Sequence, residues 1–244
     1  MHGQSNHRPL EDPLELFPRG LTKMYSIWVR LVYPFASIGR NVSFHFTSRV
    51  YRPRSPRISI GNSVSLREYA WLSVAVEDTT GEPVIVLEDN CHIGFGSIIS
   101  AKNRIHIERD VIVGQNVIMV DHNHVYEDVA VPIIDQGISG TGTIRIGQGS
   151  WIGRGAAIIS PRANLTIGRN SVVAANSVVM RSVPPYSVVA GYPATIIRQY
   201  DPEKRAWRVG RNGGRSTEGA EGVAQPVMPG TVAAKQRVAD GPAT

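Results

Sequence analysis

Residues 144–159 read IRIGQGSWIGRGAAII, in which an aliphatic side chain returns at every sixth position: Ile146, Ile152 and Ile158. A step of six is neither the 3.6 of a helix nor the plain alternation of a two-sided strand. It suits short flat strands joined by tight corners, each strand sending one aliphatic side chain inward. Three such sides close a triangular coil of about eighteen residues, and coils stacked as a solenoid bury a continuous apolar column.

The same step recurs up and down the chain, in the triplets Ile38, Phe44, Val50; Ile60, Leu66, Leu72; Leu87, Ile93, Ile99; Ile107, Val113, Met119; and Ile167, Val173, Val179. With hydrophobic residues at 42% of the chain, an accidental run of this kind has odds on the order of one in several million before the choice of starting points is discounted. Four residues after most of these aliphatics stands a small or short-branched residue, such as Val64, Ala70, Cys91, Ser97, Ser150 or Ser171. Glycine often follows the aliphatic directly, as in Ile60-Gly61, Ile93-Gly94 and Ile152-Gly153, where it relieves crowding at the turn. The expectation is an all-β parallel β-helix of about six coils over 38–184. Coil starts lie 22, 27, 20, 39 and 21 residues apart, and the excess over eighteen always follows the third side. Insertions therefore leave from one corner, and the largest, about 120–145, opens with VDHNHVYED at 120–128.

Around this body the sequence predicts a flexible N-terminus over 1–19 and an amphipathic helix over 20–37, with Leu21, Met24, Tyr25, Trp28, Val32 and Phe35 at helical spacing. Such a helix caps an open first coil; with Lys23 and Arg30, it alternatively rests on a membrane surface. A closing segment is expected over 185–200, and 201–244, rich in Gly, Ala and Pro, reads as a disordered tail. The net charge of +6 suits an anionic partner, but no basic run interleaved with aromatics points to nucleic acid. One cysteine, no signal peptide and no long apolar stretch make the cytoplasm the expected compartment, peripheral to a membrane if the helix binds one.

The segments ISIGNS, LEDNCHIGFGSII, IERDVIVGQNVIM, IRIGQGSWIGRGAAII, LTIGRNSVVAANSVV and PPYSVVAGYPATIIR resemble the hexapeptide-repeat acyltransferases, over about 38–200. The resemblance extends to sugar O-acetyltransferases of the maltose and galactoside type and to xenobiotic acetyltransferases. It implies a left-handed coil, a homotrimer, and acetyl-CoA or another acyl-CoA as cosubstrate with no metal required. The implied acceptor is a hydroxyl or amine of a sugar or glycoconjugate, as in polysaccharide biosynthesis. Left-handedness comes from the resemblance alone, because parallel crossovers are normally right-handed.

Acyl transfer needs a general base for the acceptor's proton, and histidine's ordinary pKa suits that task. His2 and His7 lie in the N-terminal tail, and His45, His92 and His106 alternate with buried coil positions, which suits solvent-facing or packing roles. His122 and His124 sit where the regular coil breaks. Aligned without a gap on the xenobiotic acetyltransferases, IMVDHNH makes His124 the base, the preferred register; a short gap against the His-Pro motif of sugar acetyltransferases makes it His122. Asp121 or Glu127 is expected to orient the ring. By position within the resemblance, Gly153, Arg154, Ala175, Arg181 and Arg198 match cofactor contacts, and an outward-pointing Trp151 could stack on cofactor or acceptor or pack in a trimer interface. Arg154 and Met180 depart from the usual residues, and SPRANLTIG is three residues longer than the usual turn. The acceptor pocket is expected from the loops 73–86 and 125–143. Two other readings remain: a zinc enzyme like the γ-carbonic anhydrases, which GFGS at 94–97 slightly favours, and a non-catalytic β-helix.

Overall fold

The structure, a computed structural model, describes residues 13–76 and 78–209. Three parallel sheets run its length. The first holds Ser37–Ile38, Ile58–Ile60, Ile85–Leu87, Arg104–Ile107, Thr143–Ile146 and Asn164–Ile167. The second holds Ser43–Phe44, Ser65–Leu66, His92–Ile93, Ile112–Val113, Trp151–Ile152 and Val172–Val173, and the third Arg49–Val50, Trp71–Val74, Ile98–Ala101, Ile118–Val120, Ala157–Ile159 and Val178–Val179. Successive strands go to successive sheets, so the chain winds as a three-sided coil.

The register is the step of six. Ile38, Ile60, Leu87, Ile107, Ile146 and Ile167 pair one above another in the first sheet. Phe44, Leu66, Ile93, Val113, Ile152 and Val173 do so in the second. In the third sheet the column is Val50, Leu72, Ile99, Met119, Ile158 and Val179. All are buried except Ile38 and Val50, which belong to the first coil and are partly covered. Each fully buried aliphatic contributes roughly 1.5–3 kcal/mol of transfer free energy, so the column dominates the fold's stability.

Corners differ in kind. The turn from first to second sheet uses a left-handed residue in every coil: Asn41, Ser63, Asn90, Asp110, Gly149 and Asn170. That from second to third does so at Tyr69, Gly96, Asn116, Gly155 and Asn176. Gly and Asn reach this conformation at little cost. The small residues beside these turns are buried, and Ser97 and Ser150 hydrogen-bond between coils, Ser97 to Gly114 O at 2.8 Å and Ser150 to Gly168 O at 3.0 Å. Where glycine follows the aliphatic, it is a matter of close approach: a Cβ at Gly114 would lie 2.8 Å from Arg154 N, and one at Gly153 2.7 Å from Ala175 N, in the coil above. Insertions sit at the third corner, among them the 3-10 helix Arg52–Arg57 and residues 121–142.

Helix α1 spans Pro13–Val32, beginning and ending earlier than the expected 20–37. Pro18 falls in the second turn, where it removes one hydrogen bond near an end, and the helix runs through it. Val29 is buried against the first coil, Ser26 Oγ accepts from Phe44 N at 2.9 Å, and Phe35 stacks on Phe44. At the other end Ser187–Gly191 joins the second sheet, turns at Gly191-Tyr192-Pro193, and returns as the antiparallel Ala194–Asp201. The chain stays ordered past the expected limit at Tyr200, because Ala206–Val209 pairs with Arg198–Asp201. The rest of the tail expected over 201–244, from 210 onward, lies outside the described residues, as do 1–12 of the N-terminal segment.

Candidate active site

The long insertion leaves the third sheet at Val120 and rejoins the first at Thr143. Its stems pair antiparallel, Asn123 opposite Ser139 and His124 opposite Ile138, with a one-turn helix Ile133–Gln136 between them. Both stems are fastened to the coil below. Asn103 Nδ2 donates to Gly140 O at 3.1 Å and Gly142 O at 2.9 Å, and Lys102 Nζ donates to Gly140 O at 3.2 Å. Gly140 has φ +131°, and a Cβ there would sit 2.9 Å from Pro161 O and 3.0 Å from His122 Cα.

Asp121 is fully buried at the root of this arm. Its Oδ1 accepts from Lys102 N at 2.7 Å, and its Oδ2 from Asn103 N at 2.9 Å and Arg104 N at 2.7 Å. His122 Nδ1 lies 3.1 Å from Oδ1. A carboxylate only accepts, so the proton shared with it belongs on Nδ1, which leaves Nε2 as the ring's basic nitrogen. Only 12% of the His122 side chain is exposed.

His124 is exposed, and its ring has no hydrogen-bond partner among the described residues. Glu127 accepts from the neighbouring Tyr126 N at 3.0 Å and pairs with neither imidazole. The other coil histidines are engaged elsewhere: His92 with Ser65 at 2.8 Å, His106 with Glu88 at 2.8 Å, and His45 with Thr47 at 2.8 Å. Asn103 and Lys102, which hold the arm, were not legible as site residues. Their only signal is that they are the two-residue excess at the third corner of the preceding coil.

A cleft of about 270 Å³ opens beside the arm, lined by Asn123, Tyr126, Glu127, Ser139, Thr141 and Arg162 among others. The extra residues of SPRANLTIG thus form one of its walls, and the 73–86 loop takes no part in it. Of the expected cofactor contacts, Gly153, Arg154 and Ala175 meet at the corner between second and third sheets, where Asn176 N donates to Arg154 O at 2.8 Å. Trp151 is next to them, 52% exposed on the second sheet between Ile112 and Val172. Arg198 lies on the same sheet but opposite Val188, three strand spacings or about 14 Å from Trp151. Arg181 stands exposed at the third corner of the last coil, apart from that cluster. Among the described residues no three His, Cys, Asp or Glu side chains converge as a metal site would need.

No family model matches the chain. It is 32% identical over 136 residues to WbbJ of Escherichia coli K12, named as a lipopolysaccharide biosynthesis O-acetyl transferase, which covers 53% of this chain and 68% of the relative. The chain belongs to the hexapeptide-repeat acetyltransferases. A second member, YJL218W of Saccharomyces cerevisiae, named as an acetyltransferase, is 30% identical over 170 residues, or 61% of this chain and 85% of that one. Among solved structures, AntD of Bacillus cereus, an N-acyltransferase in complex with dTDP and 3-hydroxybutyryl-CoA, superposes with a TM-score of 0.58 at 18% identity, over 73% of this chain and 89% of AntD. The prism is accordingly the left-handed parallel β-helix of this family, and the protein is an acyltransferase.

Proposed function

We propose that this acyltransferase moves an acyl group from acyl-CoA to a hydroxyl or amine of a sugar or glycoconjugate, with His122 as general base. The observation that carries the assignment is the Asp121–His122 pair: a buried carboxylate fixed by three backbone N–H groups holds Nδ1 and leaves Nε2 for the acceptor's proton. His124, the first candidate by ungapped alignment, lacks an orienting partner, and a base that swings freely loses part of its advantage. A sugar acceptor is supported by the WbbJ name and by AntD, bound to a nucleotide and an acyl-CoA.

The thioester supplies an activated carbonyl. His122 takes the proton from the attacking oxygen or nitrogen as the new bond to the acyl carbon forms. As the carbon–sulfur bond breaks, the same imidazolium returns that proton to the departing sulfur, and Asp121 keeps the ring in one tautomer throughout. The corner at Gly153, Arg154 and Ala175 is assigned to a pantetheine arm from the family resemblance, with the exposed Arg154 offering charge to a phosphate. The cleft at Tyr126, Glu127 and Arg162 is assigned to the acceptor.

The working form is assigned as a homotrimer. The second and third sheets expose Ile112, Trp151, Trp71, Ile118 and Ile159. The first sheet instead presents polar pairs, such as Ser37 with Ser59 and Arg145 with Glu108. Two apolar sides and one wet side suit three-fold closure. The test is thiol release from acetyl-CoA across a panel of free and nucleotide-linked sugars. His122→Ala should lose two to four orders of magnitude in turnover, and His124→Ala less than about tenfold. The opposite order moves the base to His124, and equal, wild-type rates in both variants remove the histidine mechanism altogether.

A further inference from the structure

We infer that α1 and the first coil form a docking surface for an anionic lipid membrane. On a helical projection of about 100° per residue, the packed side of α1 centres on Val29, with Thr22, Tyr25 and Ser26 beside it partly buried. Diametrically opposite runs an apolar stripe: Phe17 is 74% exposed, Met24 69%, Ile27 61% and Leu31 79%, with Leu16 and Trp28 on its margins. A face of this size and continuity is one that water-exposed helices of monomeric proteins avoid.

Charge says what covers it. Arg19, Lys23 and Arg30 form a row along one edge of the stripe, all three exposed. Residues 16–67, which comprise most of α1 and the first coil and reach into the second, contain nine Arg or Lys and no Asp or Glu. The remainder has seventeen against twenty, so along the sequence the net positive charge resides in this segment. An apolar ridge bordered by cations, in a stretch of chain that has no acid of its own and is flanked by Glu68 in a pair with Arg67, matches the interface of an anionic bilayer, where the ridge enters the acyl boundary and the cations meet phosphates. A second copy of this chain would bring the same cations against one another, which disfavours the stripe as a self-contact. No helix among the described residues is long and apolar enough to cross a membrane, so the contact lies along the surface.

The inference is independent of the base assignment. Its test is flotation of the full-length protein with vesicles of phosphatidylcholine alone or with about 30% phosphatidylserine, in low and high salt. The protein should float with the anionic vesicles at low salt only. Arg19→Gln with Lys23→Gln should weaken that binding about 30-fold, near fivefold per charge, and Phe17→Ser with Leu31→Ser should abolish it. Acetyl-CoA thiol release with a soluble acceptor should be unchanged in both variants, which verifies that they are folded. Failure of the wild type to float overturns the proposal. So does a change of molecular mass in the Phe17/Leu31 variant by light scattering, since the stripe would then be an interface between copies.

Discussion

Replacing Asp121 by Asn changes one atom and tests the whole root of the active-site arm. The carboxylate accepts four hydrogen bonds, two at each oxygen. An amide retains one accepting oxygen and turns the other position into a donor. Kept toward Asn103 N and Arg104 N, the oxygen saves two bonds in weaker, uncharged form, and the new NH2 then opposes Lys102 N. Losing one bond to a charged group at about 1.5–3 kcal/mol, and weakening two others by roughly 1 kcal/mol each, gives a destabilisation of about 3–5 kcal/mol. That is a fall in melting temperature of roughly 6–20 °C for a domain of this size. The same NH2 donates to His122 Nδ1, so the ring proton shifts to Nε2 and the basic nitrogen faces the wrong way. Turnover per folded molecule should fall by about 10²–10⁴. Asp121→Asn added to His122→Ala should cost stability but no further activity. Calorimetry and thiol release on the three variants decide the matter. Wild-type melting would refute the burial and bonding ascribed to Asp121, and a lowered melting point with undiminished turnover would refute its orienting role.

Ile152→Ala, in the middle of the second sheet and fully buried between Val113 and Val173, should cost about 2–5 kcal/mol by chemical denaturation, with the denaturant slope unchanged. Burial pushes the Cys91 thiol up to about 12, so native protein should react with a thiol reagent at pH 8 about a thousandfold more slowly than unfolded protein. Burial opposes ionisation of Glu108, but the Gln148 N–H and the Arg145 guanidinium together hold its carboxyl below the usual range. A depressed folded pKa stabilises above the unfolded value and ceases to do so as pH falls through the folded one, so melting temperature should drop below about pH 4.5, and Glu108→Gln should flatten that drop.

The column of the prism was legible because a period of six repeats enough times to leave no competing phase, and pairing such as Ile107 with Ile146 across a 39-residue step needed only the assumption that excess leaves at one corner. The histidine pair was legible as a break in that pattern. The choice proposed between its members was not, because His122 and His124 differ in what lies beneath them, and Asp121's partners are backbone amides of Lys102, Asn103 and Arg104 in another coil. Backbone donors carry no residue signature. Helix α1 starts before the apolar spacing that begins at Leu21, and the last strand was missed because Ala206–Val209 is held by pairing to Arg198–Asp201 rather than by burying anything, all four of its residues being exposed.

Left-handed residues recur in coil after coil at two corners, whereas at the third they occur only within insertions, at Gly81, Gly137 and Gly140, and this amounts to a division of labour. Two vertices are locked by backbone geometry and set the pitch, so any length of peptide can be let out at the remaining vertex without dephasing the winding. With the acceptor assigned to the cleft beside the arm, retargeting becomes a matter of exchanging the peptide between the two stems at Asn123 and Ser139, an edit that leaves the buried aliphatic column in place.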